Sequence, residues 1–168
     1  AFDGQGILKE AWGGIYVGGF KNNLAEGYGR QEEEDGSWWE GEIKNDKLHG
    51  KGIYHNYDGT IFEGNFFEGF LHGQGIYTKV DGTRATGNFE KDYLNGEGEW
   101  RYANGDVAKG NFKQDNLDGY GVYTWAIGDV YEGNWVDGIK SGKAKVTYHT
   151  GEVYEGNFSE DYRNGKGK

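Results

Sequence analysis

The chain has 168 residues, of which 28 are acidic and 18 basic, so its formal net charge is −10. It has no cysteine and no proline, which excludes disulfides, thiolate metal sites and polyproline segments. No apolar run approaches the roughly 20 residues of a membrane-spanning helix. The first residues lack the charged and apolar regions of a signal peptide. The acidic balance disfavours nucleic acid and anionic lipid as partners.

Glycine recurs with a fixed period of 23 residues along the whole chain. Four ladders begin at Gly4, Gly6, Gly13 and Gly18, and together they contain all but four of the 33 glycines. The aromatic residues keep the same period, and such self-similarity is typical of a repeat protein. We expect a single array over residues 1–168, with six full repeats from 16 to 153 and partial repeats at 1–15 and 154–168.

Each repeat is predicted to be a β-hairpin. In Tyr131–Trp135 apolar and polar residues alternate, which indicates a strand with one apolar face. Dipeptides such as Asp58-Gly59 favour the tight hairpin turn. A second column of turn residues is interpreted as the corner of a longer loop, at Asn23, Asp46, Gly69, Asp92, Asp115, Gly138 and Asp161. The predicted fold is all-β, an elongated antiparallel meander forming a solenoid-like single twisted sheet.

The two faces of this sheet are predicted to differ. On one face, rows of aromatic residues flank a row of glycines, so that rings lie over bare backbone. Ala85 and Ala108 interrupt the aromatic phase, and we expect Trp100 to lie between them and compensate for the lost volume. The alternative is a recess there that accepts a side chain of a partner. The other face carries glutamate and asparagine columns and should be solvated.

The pattern YEGNF…GFLHGQGIY…DG resembles the MORN repeat (membrane occupation and recognition nexus), most closely over Trp39–Gly59, Phe62–Gly82 and Tyr131–Gly151. Ala85, Ala108 and Ala144 depart from the motif. The resemblance implies a non-enzymatic β-meander used for assembly, as in cytoskeletal and ciliary scaffolds such as radial-spoke heads. It also implies alternatives: a phospholipid-binding membrane tether, or a regulatory appendage of a larger enzyme.

We therefore expect a scaffold that binds other proteins of a large assembly, in the cytoplasm and associated with the cytoskeleton or a cilium. Self-association, as a dimer or edge to edge, is a further expectation. Both chain ends fall inside a repeat, which leads us to expect either a longer protein or neighbouring chains that cover the edges. The predicted partner-binding residues are the aromatic-face rings Tyr16, Phe20, Trp39, Phe62, Phe66, Tyr77, Phe89, Trp100, Phe112, Tyr123, Tyr131, Trp135, Tyr154 and Phe158.

No catalytic, metal or cofactor site is predicted. His49 and His72 are one repeat apart, and the spacing of two strands is too large for both rings to hold one ion. The glutamate column of the polar face lacks the cleft that acid–base catalysis needs. The basic cluster of Lys140, Lys143 and Lys145 could contact an acidic partner or a lipid head group, but for Lys143 and Lys145 pairing with glutamates on neighbouring strands is favoured.

Overall fold

The computed structural model describes residues 1–168 and contains fifteen strands and no helix. The strands form one antiparallel sheet in which they follow chain order, so the predicted all-β meander is confirmed. The strands are β1 Gly4–Lys9, β2 Ile15–Lys21, β3 Leu24–Glu32, β4 Trp38–Lys44, β5 Lys47–His55, β6 Ile61–Phe67, β7 Phe70–Thr78, β8 Arg84–Glu90, β9 Tyr93–Arg101, β10 Val107–Lys113, β11 Asn116–Thr124, β12 Val130–Val136, β13 Ile139–Thr147, β14 Val153–Ser159 and β15 Tyr162–Asn164.

The chain divides into two units, the first comprising 1–80 and 89–92, the second 81–88 and 93–168. The strand register repeats within each unit. In the first unit, Trp39 on β4 lies opposite Tyr54 on β5. In the second, Ala108 on β10 lies opposite Trp100 on β9 and Tyr123 on β11. The aromatic phases therefore share one face, as the alternation predicts.

The prediction of which turn is tight was wrong. The column with Asp46, predicted to lie in a longer loop, forms the tighter turn, and the Asp-Gly dipeptides lie in the longer one. Asn45 and Asp46 both have positive φ, 49° and 65°, and join β4 to β5 as a two-residue turn of the type that matches strand twist. The Asp58-Gly59 turn is instead part of a three-residue loop, closed by the Gly59 N–H on the Asn56 carbonyl at 3.0 Å. Only the glycine of that dipeptide has positive φ, 86°.

A buried column of aliphatic residues runs through the segments that the sequence predicts to be loop. Because the strands extend up to the two-residue turns, Leu71 and Leu94 point into the core and are 0% exposed. The methyl groups of Leu71 lie 2.9–3.0 Å from where a Cβ at Gly75 would stand, so only glycine fits beneath them. The buried members of this leucine column are Ala25, Leu48, Leu71, Leu94 and Leu117.

The glycine ladders meet two different physical requirements, which one repeat illustrates. A Cβ at Gly64 would lie 2.5 Å from the Gln74 carbonyl oxygen on the paired strand, so the backbones approach too closely for a side chain. Gly73 has a φ of 85° beside the β-bulge between Gly64 and Phe66, a conformation that side chains disfavour.

The two-residue turns tie each repeat to the preceding one. The Asp92 N–H donates to the Leu71 carbonyl at 3.1 Å, and the Leu71 N–H donates to the Asp92 carboxylate at 2.7 Å. Burial raises the pKa of this carboxyl, although the Leu71 hydrogen bond opposes the shift. The same bridge through a side chain recurs for Asn23 with Phe2, Asp46 with Ala25, Asp115 with Leu94 and Asp161 with Lys140.

A second set of bridges lies at the three-residue loops of the second unit. The Asp106 carboxylate accepts the Tyr123 hydroxyl at 2.7 Å and the Ala126 N–H at 2.8 Å. These hydrogen bonds hold the pKa of the Asp106 carboxyl below its usual value. One repeat earlier, Thr83 Oγ1 accepts the Ala103 N–H at 3.1 Å. Hydrogen bonds at both ends of the strands thus connect successive repeats.

Candidate protein-binding surface

The predicted partner-binding rings divide into two groups by depth. Eight are buried within the chain and serve as core: Tyr16, Phe66, Phe89, Trp100, Phe112, Tyr131, Trp135 and Phe158. Six remain half-buried and present part of each ring to solvent: Phe20, Trp39, Phe62, Tyr77, Tyr123 and Tyr154. The accessible part of the predicted surface is therefore the second group.

The half-buried rings contact one another within each unit. In the first unit Phe62 packs against Tyr77 with centroids 4.9 Å apart and against Tyr54 at 6.1 Å. In the second unit Tyr123 lies 4.8 Å from Trp125 and 6.2 Å from Tyr102. We call the six half-buried rings together with Tyr54, Tyr102 and Trp125 the aromatic face. These contacts hold the rings around Phe62 in the first unit and around Tyr123 in the second in place, as a preformed binding surface requires.

The sequence reading missed a further column, which we call the loop column. It consists of the residue that directly precedes each three-residue loop and reads Glu10, Glu33, Asn56, Lys79, Tyr102, Trp125 and Tyr148. At Glu33, the N–H donates to the Ser37 carbonyl at 2.9 Å and the carbonyl accepts the Gly36 N–H at 3.1 Å, and Trp125 makes the equivalent bonds. The periodic rings at 102, 125 and 148 were the signal that could have revealed it.

The opposite face carries the glutamate and asparagine columns, as predicted. Glu63 and Glu155 are exposed. Lys145 lies opposite both Glu132 and Glu155 in the register, the cross-strand arrangement that the sequence favoured. No group of three or more His, Asp or Glu side chains is arranged to hold a metal ion.

The two candidate histidines lie on either side of one ring. The centroid of Phe67 is 5.0 Å from the ring of His49 and 5.8 Å from that of His72. Their observed role is therefore packing against Phe67.

Two cations take the place of leucine at the C-terminal end of the leucine column. Lys140 Nζ lies 4.9 Å from the Trp125 centroid and 5.5 Å from that of Tyr131. Arg163 lies 4.2 Å over Tyr154. The sequence grouped Lys140 with Lys143 and Lys145. Its role differs from theirs because its ammonium group covers rings of the aromatic side.

Hairpins of 23 residues in an open meander, tied at both ends of their strands and bearing one aromatic face, define a β-repeat protein. The chain matches the MORN repeat over residues 16–38, 39–61, 62–84, 86–107, 109–130, 131–153 and 154–168. The chain belongs to the MORN repeat family, which confirms the resemblance seen in the sequence. No helix of the chain has the length and apolarity needed to cross a membrane.

Two solved structures illustrate the similarity in fold. The TCP domain of SAS-4 (dCPAP) from Drosophila melanogaster, in complex with a proline-rich motif of Ana2 (dSTIL), is 11% identical with a TM-score of 0.50, over 92% of this chain and 90% of that one. The TCP10 domain of Danio rerio CPAP is 13% identical with a TM-score of 0.52, over 91% of this chain and 72% of that one. These likenesses concern the fold. No curated protein matches the chain in sequence.

Proposed function

We propose that the chain is a non-enzymatic scaffold module that binds partner proteins through its aromatic face. The observation that carries this proposal is the set of half-buried rings, of which Phe62 and Tyr77 are the best defined pair at 4.9 Å. Aromatic side chains that are both packed and partly accessible supply large contact areas at low entropic cost, which is why they dominate protein interfaces.

The similar folds support an extended peptide as the bound form. The SAS-4 TCP domain is solved with a proline-rich motif of Ana2, and the Danio rerio CPAP TCP10 domain with a peptide of STIL. Grooves lined by aromatic residues suit extended segments of this kind. We place the module in a large assembly, of the cytoskeletal or ciliary type that the family resemblance suggests.

A peptide-display screen on the immobilised chain tests this function. We expect enrichment of extended peptides by the wild-type chain, loss of that enrichment in Phe62→Ala, and retention in Tyr120→Ala. Tyr120 is the matched control because it is an aromatic residue, 58% exposed, on the opposite face. Circular dichroism of both variants checks their folding. The proposal fails if nothing is enriched, or if Tyr120→Ala loses the peptides while Phe62→Ala keeps them.

A further inference from the structure

The first unit contains a recess that the repeat pattern does not fill. Its volume is about 410 Å³, and we call it the acidic recess; its principal lining residues are Glu10, Trp12, Tyr16, Gln31, Glu33 and Trp39. Gln31 lies between Tyr16 on β2 and Trp39 on β4 in the strand register. The equivalent position holds a ring in four other repeats, Tyr54, Tyr77, Trp100 and Tyr123, and a smaller apolar residue, Leu8 or Val146, in two. The recess is open because an amide stands where those repeats place a ring.

Two carboxylates of the loop column enter this recess. At the equivalent loop position three other repeats carry Tyr102, Trp125 and Tyr148, so the hairpin itself does not require a carboxylate there. Glu10 Oε2 is enclosed and accepts no hydrogen bond. Burial raises the pKa of Glu33 and the nearby Glu10 carboxylate raises it further, while a hydrogen bond with the Gln31 side chain lowers it. Two like charges held together under partial burial destabilise the fold unless something compensates them.

No cation of the chain supplies that compensation. None of the ion pairs within the molecule involves Glu10 or Glu33. The third carboxylate at the recess, that of Asp46, is already engaged by the Ala25 N–H at 2.6 Å. Aromatic rings form part of the remaining walls. Trp12 is 50% exposed, whereas Tyr16 is 2% exposed and is held by the hydrogen bond that its hydroxyl donates to the Gly19 carbonyl.

We propose that the acidic recess binds the guanidinium group of an arginine side chain presented by a partner polypeptide. A guanidinium ion stacks on aromatic faces and donates paired hydrogen bonds to carboxylates, which matches rings and carboxylates in one concavity. The ammonium group of lysine also supplies a positive charge, but it stacks on rings and forms paired hydrogen bonds less well than a guanidinium group does. The inference rests on the proposed function and assigns one of its subsites, since the recess adjoins Trp39 of the aromatic face.

The probe is the blocked peptide acetyl-Gly-Gly-Arg-Gly-Gly-amide, titrated into the full chain with its tryptophan indoles labelled with ¹⁵N. We expect saturable NMR shifts at Trp12 and Trp39, while Trp125 and Trp135 in the second unit stay unchanged. The same peptide with citrulline, which is isosteric with arginine but uncharged, should not bind. The lysine peptide should bind more weakly than the arginine peptide.

Variants distinguish binding at the acidic recess from attraction by the overall negative charge of the chain. Glu10→Gln and Glu33→Gln should each weaken binding by at least about tenfold, the equivalent of 1.4 kcal/mol. Glu34→Gln is the matched control, since Glu34 is an exposed carboxylate in the same loop and should leave affinity unchanged. Gln31→Tyr should abolish binding by restoring the ring of the other repeats. The indole spectrum of each variant reports whether the fold is intact.

Three results would overturn the assignment: no shift at Trp12 and Trp39, equal binding of the citrulline or lysine peptide, or equal loss in Glu34→Gln. None of them bears on the aromatic face as a whole. Display peptides without arginine that depend on Phe62 would still support the proposed function, so the two failures are distinguishable.

Discussion

Replacing Trp100 by alanine tests whether volume is conserved across the aromatic rows. Trp100 is 6% exposed and lies opposite Ala108, which is 1% exposed. Its ring stacks on Tyr102 with centroids 5.9 Å apart and planes 11° apart. Ala85, the other small residue of the phase, is 0% exposed. A large ring between small buried neighbours fills the layer, as the sequence predicts.

From this burial we expect Trp100→Ala to cost about 3–5 kcal/mol, the range for truncating a buried large aromatic side chain. Tyr54→Ala is the matched control at the same repeat position. Tyr54 is only half-buried, so its loss should cost about 1–2 kcal/mol. Urea denaturation followed by circular dichroism measures both, because tryptophan fluorescence would change with the substitution itself.

A compensating substitution sharpens the test. Ala108→Tyr restores the ring of other repeats beside Trp100 and should destabilise by about 1–3 kcal/mol through overpacking. Combined with Trp100→Ala, the same change should recover part of the loss, a coupling that a double-mutant cycle detects. A loss below about 1 kcal/mol for Trp100→Ala would refute the packing argument, because a buried tryptophan cannot be removed at so small a cost. Strict additivity of the two changes would refute it as well.

Three further predictions concern the repeat bridges and the charge. Asp92→Ala should lower the free energy of unfolding by about 1–2 kcal/mol because the Leu71 N–H loses its acceptor. Asp92→Asn keeps an acceptor without burying charge, so its stability to urea at pH 7 should match or exceed that of the wild type. Equal losses in the two variants would contradict this. Because the folded-state pKa of Asp106 is lowered, its contribution is present above the unfolded value of about 4 and is lost as pH falls through the folded value. Thermal midpoints should therefore fall less steeply with acid in Asp106→Asn than in wild type, and parallel curves would disprove the assignment. With a net charge of −10, the chain should not co-float with phosphatidylserine vesicles at physiological salt; robust co-flotation would overturn that expectation.

The strand register could be predicted because glycine and aromatic phases repeat without ambiguity. The leucine column was missed because Leu71 is a lone aliphatic residue in a segment rich in turn formers. Extending the alternation backwards from Tyr77 through Gly75 and Gly73 would have placed Leu71 on the same face. The exchange of the two turns has a different cause. Both Asn45-Asp46 and Asp58-Gly59 tolerate positive φ, so the dipeptides alone do not show which turn is tighter. The turn at Asn45-Asp46 is the tighter one because β4 and β5 extend to the residues on either side of it.

The depth of the predicted binding residues could not be obtained from their phase. Phe66 and Phe62 are both aromatic-face residues of β6, yet Phe66 is 4% exposed and Phe62 remains half-buried. The difference arises from the neighbouring columns. Phe66 lies opposite Leu71 of the buried leucine column, whereas Phe62 lies opposite Tyr54 and Tyr77, which are half-buried themselves. The exposure of a side chain on this single sheet therefore depends on its cross-strand partners, which the period of its own residue column does not reveal.

The loop column shows where this fold leaves room for binding chemistry. Its backbone makes the same hydrogen bonds at Glu33 and at Trp125, so the hairpin closes with either side chain. The turn column lacks this freedom because its members bridge repeats, and the leucines of the leucine column lack it because they cover glycine. Side-chain identity in the loop column is therefore set by something other than closure of the loop. In the first unit this position holds Glu10, Glu33, Asn56 and Lys79, and in the second it holds Tyr102, Trp125 and Tyr148, so the two units carry different side-chain chemistry on one backbone plan. This is the division expected of a scaffold whose repeats supply the frame and whose loop residues select the partner.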